Sequence, residues 1–255
     1  MKRREKKSSD NTIYGINPVL EALESGKRKI HRLLVVKNRG NRRIDGIVDL
    51  ARKRGIEVRM TDGREMSLRF PERQDQGVAA ETSPFAYSSL EDVLSERRRP
   101  CLLAALDEIQ DTRNLGAIVR SAAAFGADGV IIHADRCAGV TPVTVKASAG
   151  MTERVSIARV VNLAAAIRRA RDEGIWVLGL DAGSPDNVYN EDLTADVMFV
   201  LGSEGKGLRK LTASLCDGLV SIPVSSKCES LNVSTAAAVV LAEAARQRTV
   251  AAERQ

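Results

Sequence analysis

Aromatic residues make up only 3% of this 255-residue chain, with a single tryptophan, Trp176. That leaves little material for stacking several bases on aromatic platforms. Histidine occurs twice, as His31 and His133, so triad hydrolases and histidine-ligated metal sites have almost nothing to work with. Four cysteines stand at 101, 137, 216 and 228. No two are spaced as a zinc or thiol-redox pair, and no metal site is expected. Cys101 and Cys216, in or beside apolar runs, read as buried fillers. Cys137 and Cys228, in polar loops, read as reduced bystanders. No apolar run approaches the ~20 residues of a membrane-spanning helix. The opening MKRREKKSSD has no apolar stretch behind it, so it is not read as a secretory signal. The expectation is a cytoplasmic protein without a membrane partner.

Apolar residues at 44% can build a sizeable core, and 28% charged residues is ordinary for a folded domain. The net charge of +6 is unevenly spread. Residues 1–100 carry 23 Lys+Arg against 15 Asp+Glu, and residues 101–255 carry 16 against 18. The basic first part suits a phosphate backbone.

Pattern and punctuation divide the chain into a basic tail at 1–11, a small α/β domain at 12–81, a linker at 82–99 rich in Ser, Pro and charge, and a larger domain at 100–255. In the small domain a helix follows Tyr14-Gly15-Ile16-Asn17-Pro18 and stops at Gly26. A strand at 30–36, a helix at 43–54, a strand at 56–60, a short helix at 61–70 and a strand at 77–81 come next. In the large domain, strands at 101–106, 129–133, 175–180, 197–201 and 219–223 alternate with helices at 114–125, 142–149, 161–173, 208–216 and 233–248. That alternation predicts an α/β fold on a mainly parallel sheet.

Two common nucleotide fingerprints are absent. Gly202-Ser203-Glu204-Gly205-Lys206-Gly207 has its glycines in the wrong order for a dinucleotide loop. It also lacks both the upstream glycine and the Ser or Thr of a phosphate loop. A nucleotide-dependent oxidoreductase is disfavoured accordingly. Three segments remain, each where a parallel strand meets a helix, which is where open α/β sheets bind ligands. The first runs from Leu106 to Ala122 and contains Asp111-Thr112-Arg113-Asn114-Leu115-Gly116. Its helix has a small-residue face, with Arg120 nearly two turns in; that arginine pairs on the surface or meets an anion. The second is Val197 to Leu208, a buried strand entering a three-glycine loop that carries Glu204. The third joins Ile222-Pro223 to Ser230-Leu231-Asn232-Val233-Ser234 at the start of an alanine-rich helix. One of Ser230, Asn232 and Ser234 is read as the helix cap, and three are more than capping needs. The helix start also offers free amides to an anion.

In this order the three segments resemble the signature motifs of the SpoU family of RNA ribose 2'-O-methyltransferases, TrmH- and RlmB-like members of the SPOUT superfamily. The match covers about residues 101–248. Residues 12–81 resemble the small substrate-binding domain found ahead of it in the branch acting on guanosine of 23S rRNA. Tyr14 to Val19 fit that domain, whereas Asp75 of Asp75-Gln76-Gly77-Val78 stands where histidine is common.

The resemblance implies a trefoil-knotted catalytic domain, a homodimer with its active site near the subunit interface, and S-adenosylmethionine as methyl donor. Leu180, Gly202, Glu204, Ile222, Leu231 and Asn232 then fall at cofactor-binding positions. Asn114, Arg120, Glu204, Ser230, Asn232 and Ser234 fall at active-site positions. A guanidinium does not readily deprotonate, so Arg120 is expected to grip an RNA phosphate, with the ribose proton leaving to phosphate, water or Glu204. Asn114 is expected to orient the ribose or its own loop. The RNA partner is expected to be 23S rRNA. The alternatives are transfer RNA as substrate, or a non-catalytic RNA-binding ribosome-assembly factor.

Overall fold

The computed structural model describes residues 11–37, 40–70, 75–225, 227 and 230–254. The expectations for the basic tail, apart from Asn11, and for Cys228 fall outside these residues. The chain forms two compact units, one of residues 1–86 with 140–154, the other of 87–139 with 155–255.

The first unit is built on a four-stranded sheet in the order β1-β4-β2-β3. Its strands are β1 (Thr12–Tyr14), β2 (Ile30–Val36), β3 (Glu57–Thr61) and β4 (Val78–Thr82). β2 pairs parallel with β3 and antiparallel with β4. Side chains alternate across a strand. Leu33 and Val35 therefore join the core under helices α1 (Ile16–Ser25) and α2 (Arg42–Lys53), while Leu34 meets Met66 of α3 (Gly63–Arg69). The predicted helix boundaries hold within two residues because their punctuation is real. Gly26 closes α1 at φ 65°, and Asn41 and Asp62 accept the first backbone N–H groups of α2 and α3. Asp75 shapes a turn: its carboxylate accepts the Gly77 N–H at 2.6 Å.

The second unit carries six strands in the order β10-β8-β9-β5-β6-β7, every neighbouring pair parallel. They are β5 (Leu102–Leu106), β6 (Gly129–His133), β7 (Ser156–Val160), β8 (Trp176–Leu180), β9 (Val197–Leu201) and β10 (Gly218–Val220). β5 (LLAAL) and β9 (VMFVL) are buried at every residue, as the central strands of a covered parallel sheet must be. The core on one face includes Leu103, Ala105, Met198 and Val200 with Val93, Leu94 and Ile167. Helices α5 (Thr112–Ala124) and α9 (Val233–Glu253) pack together, burying Ile118, Val119 and Ala122 on one and Ala237, Val240 and Leu241 on the other.

Three expectations change. The linker at 82–99 contains a helix, α4 (Leu90–Ser95), opened by a reciprocal Ser89–Asp92 capping box. Its Val93 and Leu94 are buried. The Arg97–Arg99 run that follows is neutralised within its own unit, pairing with Glu173, Asp128 and Asp196 respectively. Short or half-polar strands β1 and β7 had no sequence counterpart. Finally, residues 140–154 pack with the first unit, although the sequence assigned them to the larger domain. This stretch holds α6 (Pro142–Ala147) and a 3₁₀ turn, Met151–Glu153. Val145 enters the first unit's core, and Lys146 Nζ donates to Gln76 Oε1 at 3.0 Å.

Arg28 and Glu153 anchor that packing at 2.7 Å, with side chains 5% and 1% exposed. Burial pushes the Glu153 carboxyl up despite the adjacent guanidinium, so desolvation outweighs attraction in the pair. With its folded pKa raised, this carboxyl contributes most in acid, and its contribution falls as pH rises through that pKa. Arg28→Met should destabilise the chain by about 3–5 kcal/mol at neutral pH, because it strands a buried carboxylate. Arg28→Met/Glu153→Leu should recover most of that loss. Urea unfolding of the parent and both variants checks this, and a single variant as stable as the parent would refute it.

Candidate active site

The three motif segments converge at the carboxyl edge of the second unit's sheet. β5 leads through Asp107 and Glu108 to Asp111, whose side chain accepts the Arg113 N–H and caps α5. Asn114 therefore lies in the first turn of α5. β9 leads directly into Gly202–Gly207. That loop closes on itself: the Gly207 N–H donates to Ser203 O at 2.9 Å, and the two residues form an antiparallel bridge. Gly205 and Gly207 take φ of 77° and 64°, which glycine adopts without steric cost. A Cβ on Gly202 would collide with the backbone of Gly207 and Leu208.

Asn232 is the cap of α9. Its Oδ1 accepts the Ser234 N–H at 2.9 Å, the Ser234 hydroxyl at 2.6 Å and the Thr235 N–H at 3.4 Å. Its Nδ2 faces the other way, donating to Asn114 Oδ1 at 3.2 Å and also to Glu204 Oε1. Asn114 Nδ2 donates to the same Oε1 at 2.9 Å. One residue from each motif thus meets at one carboxylate oxygen, and the helix start polarises the chain of bonds.

Beside this triangle lies a cleft of about 340 Å³, within the usual ~300–1,000 Å³ of small-molecule sites. Its apolar wall includes Leu180, Leu201, Val220, Ile222, Leu231 and Val233. Asp181, Glu204, Ser230 and the backbone of Gly202–Gly207 supply the polar side. Among the expected residues, Leu180, Gly202, Glu204, Ile222, Ser230 and Leu231 line the cleft. Asn114 and Asn232 reach it through Glu204, and Ser234 through Asn232.

Arg120 is the residue not brought to this cluster. It lies six residues beyond Asn114 on α5, which at 3.6 residues per turn points it about 120° away. It is exposed and makes no hydrogen bond or ion pair with the described residues. Sequence reasoning missed Asp107 and Arg209. Asp107 is 1% exposed, and its carboxylate accepts Arg209 Nε at 2.7 Å and the Arg209 N–H at 3.2 Å. That hydrogen-bonded carboxylate raises the Arg209 guanidinium above its usual value. An acid placed directly after a fully apolar strand was the available signal. Burial pushes the Cys101 and Cys216 thiols up to about 11 and about 12. Burial raises Cys137 as well.

Comparison with known proteins identifies the family. Residues 102–242 match the SpoU rRNA Methylase family, and residues 12–88 match the RNA 2'-O ribose methyltransferase substrate binding family. An uncharacterized tRNA/rRNA methyltransferase of Mycolicibacterium vanbaalenii is 42% identical over 249 residues, spanning 96% of this chain and 79% of its own. The SpoU methyltransferase AviRb of Streptomyces viridochromogenes, solved with AdoMet, is 26% identical and superposes with a TM-score of 0.81 over 98% of this chain and 95% of that one. An AdoMet-bound rRNA methyltransferase of Sinorhizobium meliloti, also 26% identical, gives 0.79 over 96% and 90%. The mainly parallel α/β sheet is that of RNA methyltransferases of this kind, and the chain belongs to the SpoU rRNA methylase family.

Proposed function

We propose that this chain methylates the ribose 2'-hydroxyl of a guanosine in 23S rRNA, in the cytoplasm, with S-adenosylmethionine held in the cleft beside Glu204. The observation that carries the reading is the meeting of Asn114, Glu204 and Asn232 at the mouth of that cleft. The cleft residues fit the cofactor. Leu180, Ile222 and Leu231 offer an apolar wall to an adenine, Asp181 and Glu204 offer carboxylates to its cationic groups, and Gly202 keeps the loop backbone close. When bound, the sulfonium supplies an already activated methyl group.

The chain's own work is then placement and proton handling. Asn114 and Asn232 hold Glu204 by Oε1, and Oε2 accepts no bond from the described residues. That second oxygen is the one to receive the ribose hydroxyl or its proton. Arg120, pointing away from its own cleft, serves the partner's cleft in a homodimer. There it grips an RNA phosphate, a role for which its bidentate guanidinium is suited. The substrate-binding unit, with its excess of basic residues, docks RNA through phosphate and shape. The trefoil threading of the family belongs to the same reading.

Ribose-methylation mapping of total RNA from cells lacking the gene tests the proposal. Loss of one guanosine mark in 23S rRNA is the expected result. Loss of a transfer RNA mark would keep the chemistry and overturn the substrate. An unchanged map, together with no cofactor binding by titration, would leave a non-catalytic RNA-binding factor.

A further inference from the structure

The Glu204 loop is closed on itself by the Ser203–Gly207 bridge and by the contact of Gly202 with Gly207. A loop closed in this way moves as one body about its two ends, so whatever holds those ends sets where Glu204 points. Both ends are held by the same residue. The Asp107 backbone N–H donates to Leu201 O at 2.8 Å, at the entry to the loop. The Asp107 carboxylate takes the backbone N–H and the guanidinium of Arg209, just beyond its exit, the closest approach being 2.6 Å. Nothing in capping requires this arrangement: Arg209 precedes the helix Lys210–Leu215 with no side-chain cap bond. A second acid extends the lacing. Glu108, held at φ 64°, lies 3.6 Å from Arg209 and 3.2 Å from Arg136, which follows the neighbouring strand β6.

We propose that Asp107 is the positioning residue of the Glu204 loop, acting with Arg209 as a buried hinge pin that sets the distance from Glu204 to Asn114 and Asn232. This deepens the reading of the cleft as the methyl-donor site and rests on it. Asp107 is buried and is not among the residues that line the cleft. It acts only through Glu204 and the loop backbone.

Full-length Asp107→Asn, Arg209→Gln and Arg209→Lys, each alone and in a Glu204→Gln background, test the proposal. Three readings are taken: the Kd for S-adenosylmethionine by calorimetry without RNA, the rate of tryptic cleavage after Lys206, and kcat for tritiated methyl transfer to deproteinised ribosomal RNA from cells lacking the gene. Asp107→Asn and Arg209→Gln should each weaken cofactor binding and lower kcat by about 10- to 100-fold, the scale of a sub-ångström to ångström misplacement. Both should speed cleavage at Lys206. Arg209→Lys, which keeps the charge and the backbone bond, should recover part of each loss. In the Glu204→Gln background neither hinge variant should lower kcat further, because the residue it positions is already gone.

Multiplicative losses of kcat in that background would overturn the proposal, as would unchanged cleavage at Lys206. A general loss of stability would lower the unfolding temperature equally in both backgrounds without that coupling. The cleavage and cofactor readings need no RNA. They therefore judge the hinge even if the RNA assignment fails, while failure of the cofactor to bind the parent enzyme would count against the cleft reading itself. Should Asp107→Asn not fold, the two variants of the half-exposed Arg209 carry the same comparison.

Discussion

Asn232→Asp is expected to leave the fold as stable as the parent and to lower methyl transfer by about 100-fold or more. Asn232 does two jobs with its two amide atoms. Oδ1 caps α9 by accepting from Ser234 and Thr235, and aspartate caps a helix as well as asparagine does. Nδ2 donates to Asn114 and Glu204, and aspartate has no such donor. Instead it sets a second carboxylate against Glu204 Oε1, and like charges at that range repel. Glu204 should swing away, and Asn114 should lose its acceptor partner. Residual activity should rise as pH falls, since protonating one acid of the pair relieves the repulsion and restores a donor. Thermal unfolding and a pH profile of transfer check both halves. An Asn232→Asp enzyme with parental kcat would remove the triangle from the mechanism, and one that unfolds early would mean the cap is not what Asn232 supplies.

Gly202→Ala should abolish measurable cofactor binding, with Kd rising at least about 100-fold, because a closed loop cannot accept even one methyl group at that point. The added Cβ would meet the Gly207 carbonyl carbon and oxygen and the Leu208 nitrogen. These are backbone atoms that no side-chain rotation can clear. Gly205→Ala is the control. A Cβ there meets open space, and only φ of 77° opposes it, at a cost of about 1–2 kcal/mol. Calorimetric titration of both variants with S-adenosylmethionine separates the two effects. Equal affinities would show that the steric closure at Gly202 does not shape the cleft.

The pattern of side chains revealed the second unit's core strands because burial there is continuous. VMFVL and LLAAL can be little else between turn signals. β7, as Ser156-Ile157-Ala158-Arg159-Val160, was hidden by being half polar at the sheet's edge, where Arg159 turns outward to the Ala134 carbonyl. β1 has only three residues, too few for any period to register. α4 was masked by its serine- and arginine-rich surroundings, although Leu90, Val93 and Leu94 already had helical spacing. Most of the cleft lining was legible because strand-end loops with crowded glycines or capping residues are locally odd. Asp107 and Arg209 escaped because their partnership spans 102 positions: the acid after the apolar strand is visible in the sequence, but nothing near it names its partner. The grouping of 140–154 escaped for the same reason: Arg28 and Glu153 are 125 positions apart.

That grouping bears on how such proteins can be recombined. A reader and a catalyst joined by one linker could be exchanged among relatives by a single cut. Here the backbone passes between its two units three times, because 140–154 leaves the catalytic unit after β6, packs with the reader, and returns as β7. Swapping the reader at the linker alone would pair a foreign sheet with a native Val145, Gly150 and Glu153, which in this chain pack against the α1 core, Pro18 and Arg28. A transplantable reader must therefore carry two separate stretches of sequence. Modularity in this architecture belongs to packed units and is not available at any single breakpoint.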